Sequence, residues 1–118
     1  MASEVRRAER VAEMALRILS ELLLRELRDP RLRGVTLTSV AMTDDLRRAR
    51  VFFSLLEGSA RSADAIAGFR SAQGFIRKRL GDELALRYTP ELDYQFDPGL
   101  ERAARIDQLL RASRPRGE

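Results

Sequence analysis

The sequence contains no cysteine and no histidine. That excludes disulfide frameworks, thiol nucleophiles, zinc sites of the Cys/His kind and every catalytic triad built on an imidazole. It also fits a reducing, cytoplasmic location. Of the 22 basic residues one, Lys78, is lysine, which leaves 21 arginines. No apolar run approaches the roughly 20 residues that a membrane span requires. The first ten residues, MASEVRRAER, lack an apolar stretch and carry Glu4 and Glu9, which argues against export. Aromatic residues are sparse, with two tyrosines and five phenylalanines, too few for a base-stacking platform. Neither a P-loop nor a dinucleotide fingerprint is present. The sequence offers no catalytic residue, no metal ligand set and no cofactor site.

What remains is 118 residues, the size of one domain, with 44% hydrophobic and 34% charged residues. The net charge of +4 and a pI near 10.5 favour a polyanionic partner. Residues 4–28 have the period of a long amphipathic helix: Ser3 stands at its N-cap, and Ala8, Val11, Ala12, Ala15, Leu16, Leu19, Leu22 and Leu23 share one face. Asp29-Pro30 stops it. The alternating run 35–42 and the more apolar run 49–56 predict two antiparallel strands joined by a hairpin-length turn, the second strand central. Residues 62–71 and 74–81 predict two helices that meet at a break around Ala72-Gln73-Gly74, with Gly81 as the C-terminal cap. A third strand is expected over 86–96, at an edge or with a bulge because Pro90 falls inside it. Pro98 opens a last helix running to about Arg111, and residues 113–118 form a disordered basic tail behind a single domain at 1–112. The expected architecture is α+β, with helices on one face of a small sheet.

Charge is unevenly spread. Residues 88–101 hold four acidic groups and no basic one, whereas 59–87 and 102–118 are each net basic. On the first helix Arg6, Arg7, Arg10, Arg17, Arg25 and Arg28 fall within an arc of roughly 100° opposite the apolar face, a stripe able to track a phosphate backbone. The same residues also admit a purely structural reading, through the i,i+4 pairs Glu13–Arg17 and Glu21–Arg25. The break at Ala72-Gln73-Gly74, followed by Arg77, Lys78 and Arg79, places a helix N-terminus beside basic side chains, a phosphate-receiving arrangement; alternatively Gly74 only permits a tight helix junction. Asp44-Asp45 reads as a turn former rather than a magnesium site. Glu91, Asp93 and Asp97 form an acidic edge that has no catalytic partner but suits a basic protein.

Four segments occur together and in order: RVAEMALRILSELLLRELRDPRL, VTLTSVAMTDDLRRARVFFSLL, AQGFIRKRLGDELALRYTPELDYQFD and ERAARIDQLL. With them the chain resembles bacterial ribosome-binding factor A from about Arg6 to Leu110. The resemblance implies a KH-like domain of the type II order, helix–strand–strand–helix–helix–strand, with a three-stranded sheet and a C-terminal helix. It also implies an alanine-x-glycine kink, matched by Ala72-Gln73-Gly74, in place of the GxxG loop with which KH modules clamp nucleotides. By the same likeness the expected role is non-catalytic. The protein would bind free 30S subunits and assist late maturation and processing of 16S ribosomal RNA near its 5′-terminal helix and the neck and decoding region. A link to cold adaptation, contacts with small-subunit proteins and displacement by an assembly GTPase are implied as well, for a protein acting as a monomer. The RNA-binding residues expected on these grounds are Arg70, Ala72, Gln73, Gly74, Arg77 and Lys78 at the kink, extended by Arg6, Arg7 and Arg10. A general KH-like RNA chaperone without ribosome preference is the alternative.

Overall fold

The computed structural model describes residues 2–99, so the expected C-terminal helix and the tail at 113–118 lie outside the described residues. The elements follow as α1 (Ala2–Arg25), a 3-10 turn (Pro30–Leu32), β1 (Val35–Met42), β2 (Arg48–Leu55), a second 3-10 turn (Ser59–Arg61), α2 (Ser62–Ser71), α3 (Gln73–Leu84) and β3 (Glu91–Phe96). This is the expected helix–strand–strand–helix–helix–strand order. The sheet order is β1-β2-β3, with β1/β2 antiparallel and β2/β3 parallel. A tight turn can join only antiparallel neighbours, whereas the two-helix crossover between β2 and β3 lets the third strand run parallel. The most apolar strand is therefore central, as its composition predicts.

α1 buries Ala8, Val11, Ala12, Ala15, Leu19 and Leu22, and leaves Leu16 and Leu23 half-buried. It ends at Arg25, one turn before the expected Arg28. Both Glu26 and Leu27 donate their backbone N–H to Leu22 O, which closes the helix early and turns Leu27 toward the core. Asp29, extended because it precedes proline, then caps the 3-10 turn by accepting from Arg31 N–H at 2.9 Å. The same carboxylate takes the Arg31 guanidinium in a two-pronged pair. These bonds hold the Asp29 carboxyl down to about 2.

Two other expectations, the start of the third strand and the cap at Gly81, are corrected. The third strand begins at Glu91 rather than 86, because Pro90 brings no N–H to the ladder and stands buried just before it. β3 lies at an edge of the sheet, as its proline predicts, and is regular; a bulge lies instead in β1, where Thr38 is the extra residue between the pairs Leu37↔Phe53 and Ser39↔Phe52. Gly81 is not a cap: α3 continues for three residues to Leu84 and ends on Ala85, a left-handed alanine with φ 54°. Gly81 instead lets Thr89 approach, since a Cβ there would stand 2.5 Å from Thr89 Oγ1.

One face of the sheet carries Leu37, Val51, Phe53 and Tyr94 into a core completed by the helices. Phe53 is fully buried, with the Phe69 and Phe96 rings at 5.6 and 5.9 Å. Phe69 in turn stacks on Tyr94 at 4.6 Å, nearly parallel, so aromatic contacts join α2 to both β2 and β3. The other face presents Thr36, Ser39, Ala41, Arg50, Asp93 and Gln95, all exposed.

Candidate RNA-binding surface around the helix kink

The two middle helices meet at one residue. Ala72, with φ −96° and ψ 8°, belongs to neither; its N–H is shared between Gly68 O (3.3 Å) and Phe69 O (3.1 Å), and its own carbonyl accepts the first bond of α3 from Ile76 N–H (2.9 Å). The helical hydrogen-bond ladder thus changes direction without a loop, and the short Ala72 side chain, half-buried, is all the junction must accommodate.

β3 holds this kink in place. Gln73 donates its amide to Leu92 O at 3.5 Å and accepts from the Tyr94 hydroxyl at 2.6 Å. Burial pushes the Tyr94 phenol well above the ordinary tyrosine range, with the nearby Arg77 charge acting in the opposite sense. One turn after Gly74, Arg77 donates to Thr89 O (3.1 Å) and Pro90 O (3.3 Å) and stands 3.7 Å from Glu91. Its guanidinium therefore staples α3 to the chain entering β3.

The remaining kink residues face outward. Arg70 is exposed and without a partner among the described residues. Lys78 is 77% exposed with only a surface pair to Asp82. Gly74 is exposed, and nothing lies within 4 Å of where its Cβ would be. Neither packing among the described residues nor a left-handed backbone therefore requires glycine there. Phe75, next to it, is partly exposed and carries the Arg79 guanidinium 5.9 Å from its ring, while Arg79 itself is tied to Glu26 at 2.7 Å.

Arg6, Arg7 and Arg10 are exposed on α1 without ion pairs among the described residues. Neither Glu13–Arg17 nor Glu21–Arg25 closes; among the described residues the i,i+4 pairs that form are Arg61–Glu57, Lys78–Asp82 and Arg79–Glu83. Arg6, Arg7 and Arg10 are not brought to the kink, whereas Arg17 and Arg25 of the same stripe line a cleft with Arg79 and Glu83 of α3. The N-terminal half of α1 borders Ser39–Met42 of β1, whereas the kink borders Leu92 and Tyr94 of β3 at the opposite edge of the sheet. The acidic edge is largely met within the fold: Asp93 pairs with Arg50, Glu91 with Arg77, and Asp97 accepts from Thr38 Oγ1 and Gly99 N–H. Asp45 accepts from Thr43 Oγ1 and Arg47 N–H, the turn-forming role expected of it. Among the described residues no group of three or more acidic side chains could hold a metal ion, and no helix is long and apolar enough to cross a membrane.

Sequence reasoning missed the anchoring role of Tyr94. Its one signal is a tyrosine amid an otherwise charged and apolar strand, and its partner Gln73 lies 21 residues away.

Comparison with known proteins decides the family. Residues 7–110 match the family model described as ribosome-binding factor A. The chain belongs to the ribosome-binding factor A family. A member from Syntrophus aciditrophicus is 41% identical over 108 residues, covering 92% of this chain and 88% of the relative. The solution structure of a Thermotoga maritima protein, itself proposed to be a ribosome binding factor A, is 30% identical with a TM-score of 0.64, covering 73% of this chain and 82% of that one. A homology model of the Thermus thermophilus family member, fitted into the cryo-EM map of its complex with 30S, has a TM-score of 0.63 at 20% identity over 77% of this chain and 96% of that one. At that identity the likeness establishes the fold, which is KH-like, and the kink stands where the family has no GxxG loop.

Proposed function

We propose that the chain is a non-enzymatic assembly factor that binds free 30S subunits through 16S ribosomal RNA and assists late maturation and processing of that RNA. Binding energy alone does the work: the domain holds an immature RNA conformation near the 5′-terminal helix and the neck and decoding region, and delays subunit joining until an assembly GTPase displaces it. It acts in the cytoplasm as a monomer, with small-subunit proteins as neighbours and a role in cold adaptation.

The observation that carries this reading is Gly74. An exposed glycine in a helix is less favourable than alanine by up to about 1 kcal/mol, and among the described residues no contact requires it here. A residue without a Cβ suits close approach of a backbone phosphate to the helix N-terminus. In this arrangement Arg70 and Lys78 meet phosphates. Ala72 sets the turn, and Gln73 and Arg77 lie at the contact while holding it on β3. Arg6, Arg7 and Arg10 form a second, separate electrostatic contact.

The test is sedimentation of the full chain with free small subunits, large subunits and joined ribosomes at two salt concentrations. Selective travel with free small subunits that persists at the higher salt is the expected result. Equal travel with every particle, collapsing as salt rises, would replace this reading with a general KH-like RNA chaperone.

A further inference from the structure

Two loops meet at one end of the sheet. The β1–β2 turn brings Arg47, the connection after α3 brings Arg87 and Tyr88, and Glu91 N–H donates to Arg47 O at 2.8 Å to join them. Both guanidiniums converge on one ring: Arg47 lies 4.7 Å from the Tyr88 centroid and Arg87 5.5 Å from it. Tyr88 remains 52% exposed. Neither arginine closes an ion pair among the described residues, although Arg31, Arg50, Arg61, Arg77 and Arg79 all do, and the one carboxylate that feels the Arg47 charge, Asp45, is held by Thr43 Oγ1 and the Arg47 N–H. Two cations held against one ring repel each other, and an anion placed between them relieves that repulsion.

The backbone on both sides is constrained. Leu46 (φ 62°) and Ala85 (φ 54°), the two non-glycine residues with positive φ among the described residues, stand one position before Arg47 and two before Arg87. Leu46 is buried, which anchors the turn in the core, and Asp45 fixes the Arg47 N–H from the other side. Backbone conformations of this kind persist where the surrounding structure over-determines them, and they cluster at binding sites. The backbone that carries the arginines is thus fixed by the buried Leu46, the Asp45 bond and the end of α3.

We propose that Tyr88, Arg47 and Arg87 form a second nucleotide site, for single-stranded RNA, separate from the kink. The two guanidiniums take one backbone phosphate, for which their planar forks are suited, and the adjoining base packs on the exposed part of the tyrosine–arginine stack, a single stacking position rather than the platform for which the aromatic residues are too few. Thr89, the next residue, gives its carbonyl to Arg77. The site therefore continues the kink surface along the same edge of the molecule. It rests on the reading of this domain as an RNA binder, and it adds a preference for single strands, because stacking needs an unpaired base and accepts any of the four.

The test uses the full chain and fluorescence anisotropy with a short single-stranded oligoribonucleotide and an RNA duplex, over a salt series. R47A/R87A should weaken single-strand binding about tenfold and lessen the log–log salt slope by about 0.7, because one phosphate is no longer neutralised. Y88A should weaken it about fivefold with the salt slope unchanged, as removal of a stacking ring does. Duplex binding should change less than twofold in both. If R47A/R87A lowers the melting temperature, R47K/R87K decides. It keeps the charge but lacks the fork, and should still bind the single strand several-fold more weakly. Unchanged single-strand binding in these variants, with R70E/K78E still impaired, would overturn this second site and leave the kink reading standing. If all of them, R70E/K78E included, bind like the parent protein, the RNA-binding reading itself falls. A variant set that weakens duplex and single-strand binding equally would show a diffuse positive patch and overturn the site.

Discussion

The Tyr94 hydroxyl donates to Gln73 Oε1 at 2.6 Å, so the middle of the edge strand carries the junction of the two central helices. Tyr94→Phe keeps the ring stacked on Phe69 but leaves the half-buried Gln73 oxygen without its donor. The expected cost is about 1–2 kcal/mol, read as a lower melting temperature or denaturant midpoint. Because the ring packing survives in that variant, Tyr94→Ala should cost at least about 2 kcal/mol more, in keeping with truncation of a buried aromatic side chain. Equal destabilisation in the two variants would show that the ring contributes nothing beyond its hydroxyl.

Arg77 and Lys78 are adjacent in sequence and opposite in role. Arg77→Ala removes two hydrogen bonds to loop carbonyls from a group that is 34% exposed, and should destabilise the fold by about 1 kcal/mol. Lys78→Ala breaks only an exposed pair with Asp82, worth about 0–0.5 kcal/mol, so its stability should be unchanged. Its affinity for small subunits should fall several-fold, with a shallower salt dependence. Thermal denaturation and subunit sedimentation on both variants separate the two effects.

The two glycines of α3 should respond to alanine with opposite signs. At Gly74 the new methyl enters open space, and the gain in helix propensity raises stability by up to about 1 kcal/mol while subunit binding weakens. At Gly81 it meets Thr89 Oγ1 at 2.5 Å, and the strain should cost about 1–3 kcal/mol. Adding Thr89→Ala should recover most of that stability, a coupling that a double-mutant cycle measures.

Acid should loosen the turn after α1. The Asp29 carboxyl is held at about 2 against an ordinary 3.8, mainly by the Arg31 side chain and then by the Arg31 N–H. A depressed carboxyl contributes stability that is complete above pH 3.8 and is lost as pH falls through about 2. Asp29→Asn should therefore lower the melting temperature at neutral pH, with a deficit that shrinks as the pH is taken down toward about 2. A variant whose deficit persists unchanged across that range would place the contribution in packing rather than charge.

Much of this molecule was legible in its residues. The long amphipathic helix, the apolar central strand, the antiparallel hairpin and the helix break at Ala72 all follow from periodicity and turn chemistry within a few neighbouring positions. The family is legible as well, because GFIRKRLG and LRYTPEL keep their order and spacing. Local pattern failed where distant groups competed. Gly81 reads as a helix cap because glycine commonly is one, yet Thr89 occupies the space its missing side chain leaves, and the cap falls on Ala85. Arg77 reads as one of three basic side chains in a row, and only the return of the chain into β3 gives it two carbonyls to hold. The arginine stripe is a true feature of α1, but its N-terminal arginines lie toward β1, away from the kink beside β3, while Arg17 and Arg25 border α3. What the sequence alone determined is the order of elements and the apolar faces, which depend on backbone propensity and burial. What the tertiary structure decided is which charges remain unpaired for a partner, because many of the ion pairs and hydrogen bonds that engage the others join groups far apart in the chain, as Arg79 with Glu26 and Arg50 with Asp93 do.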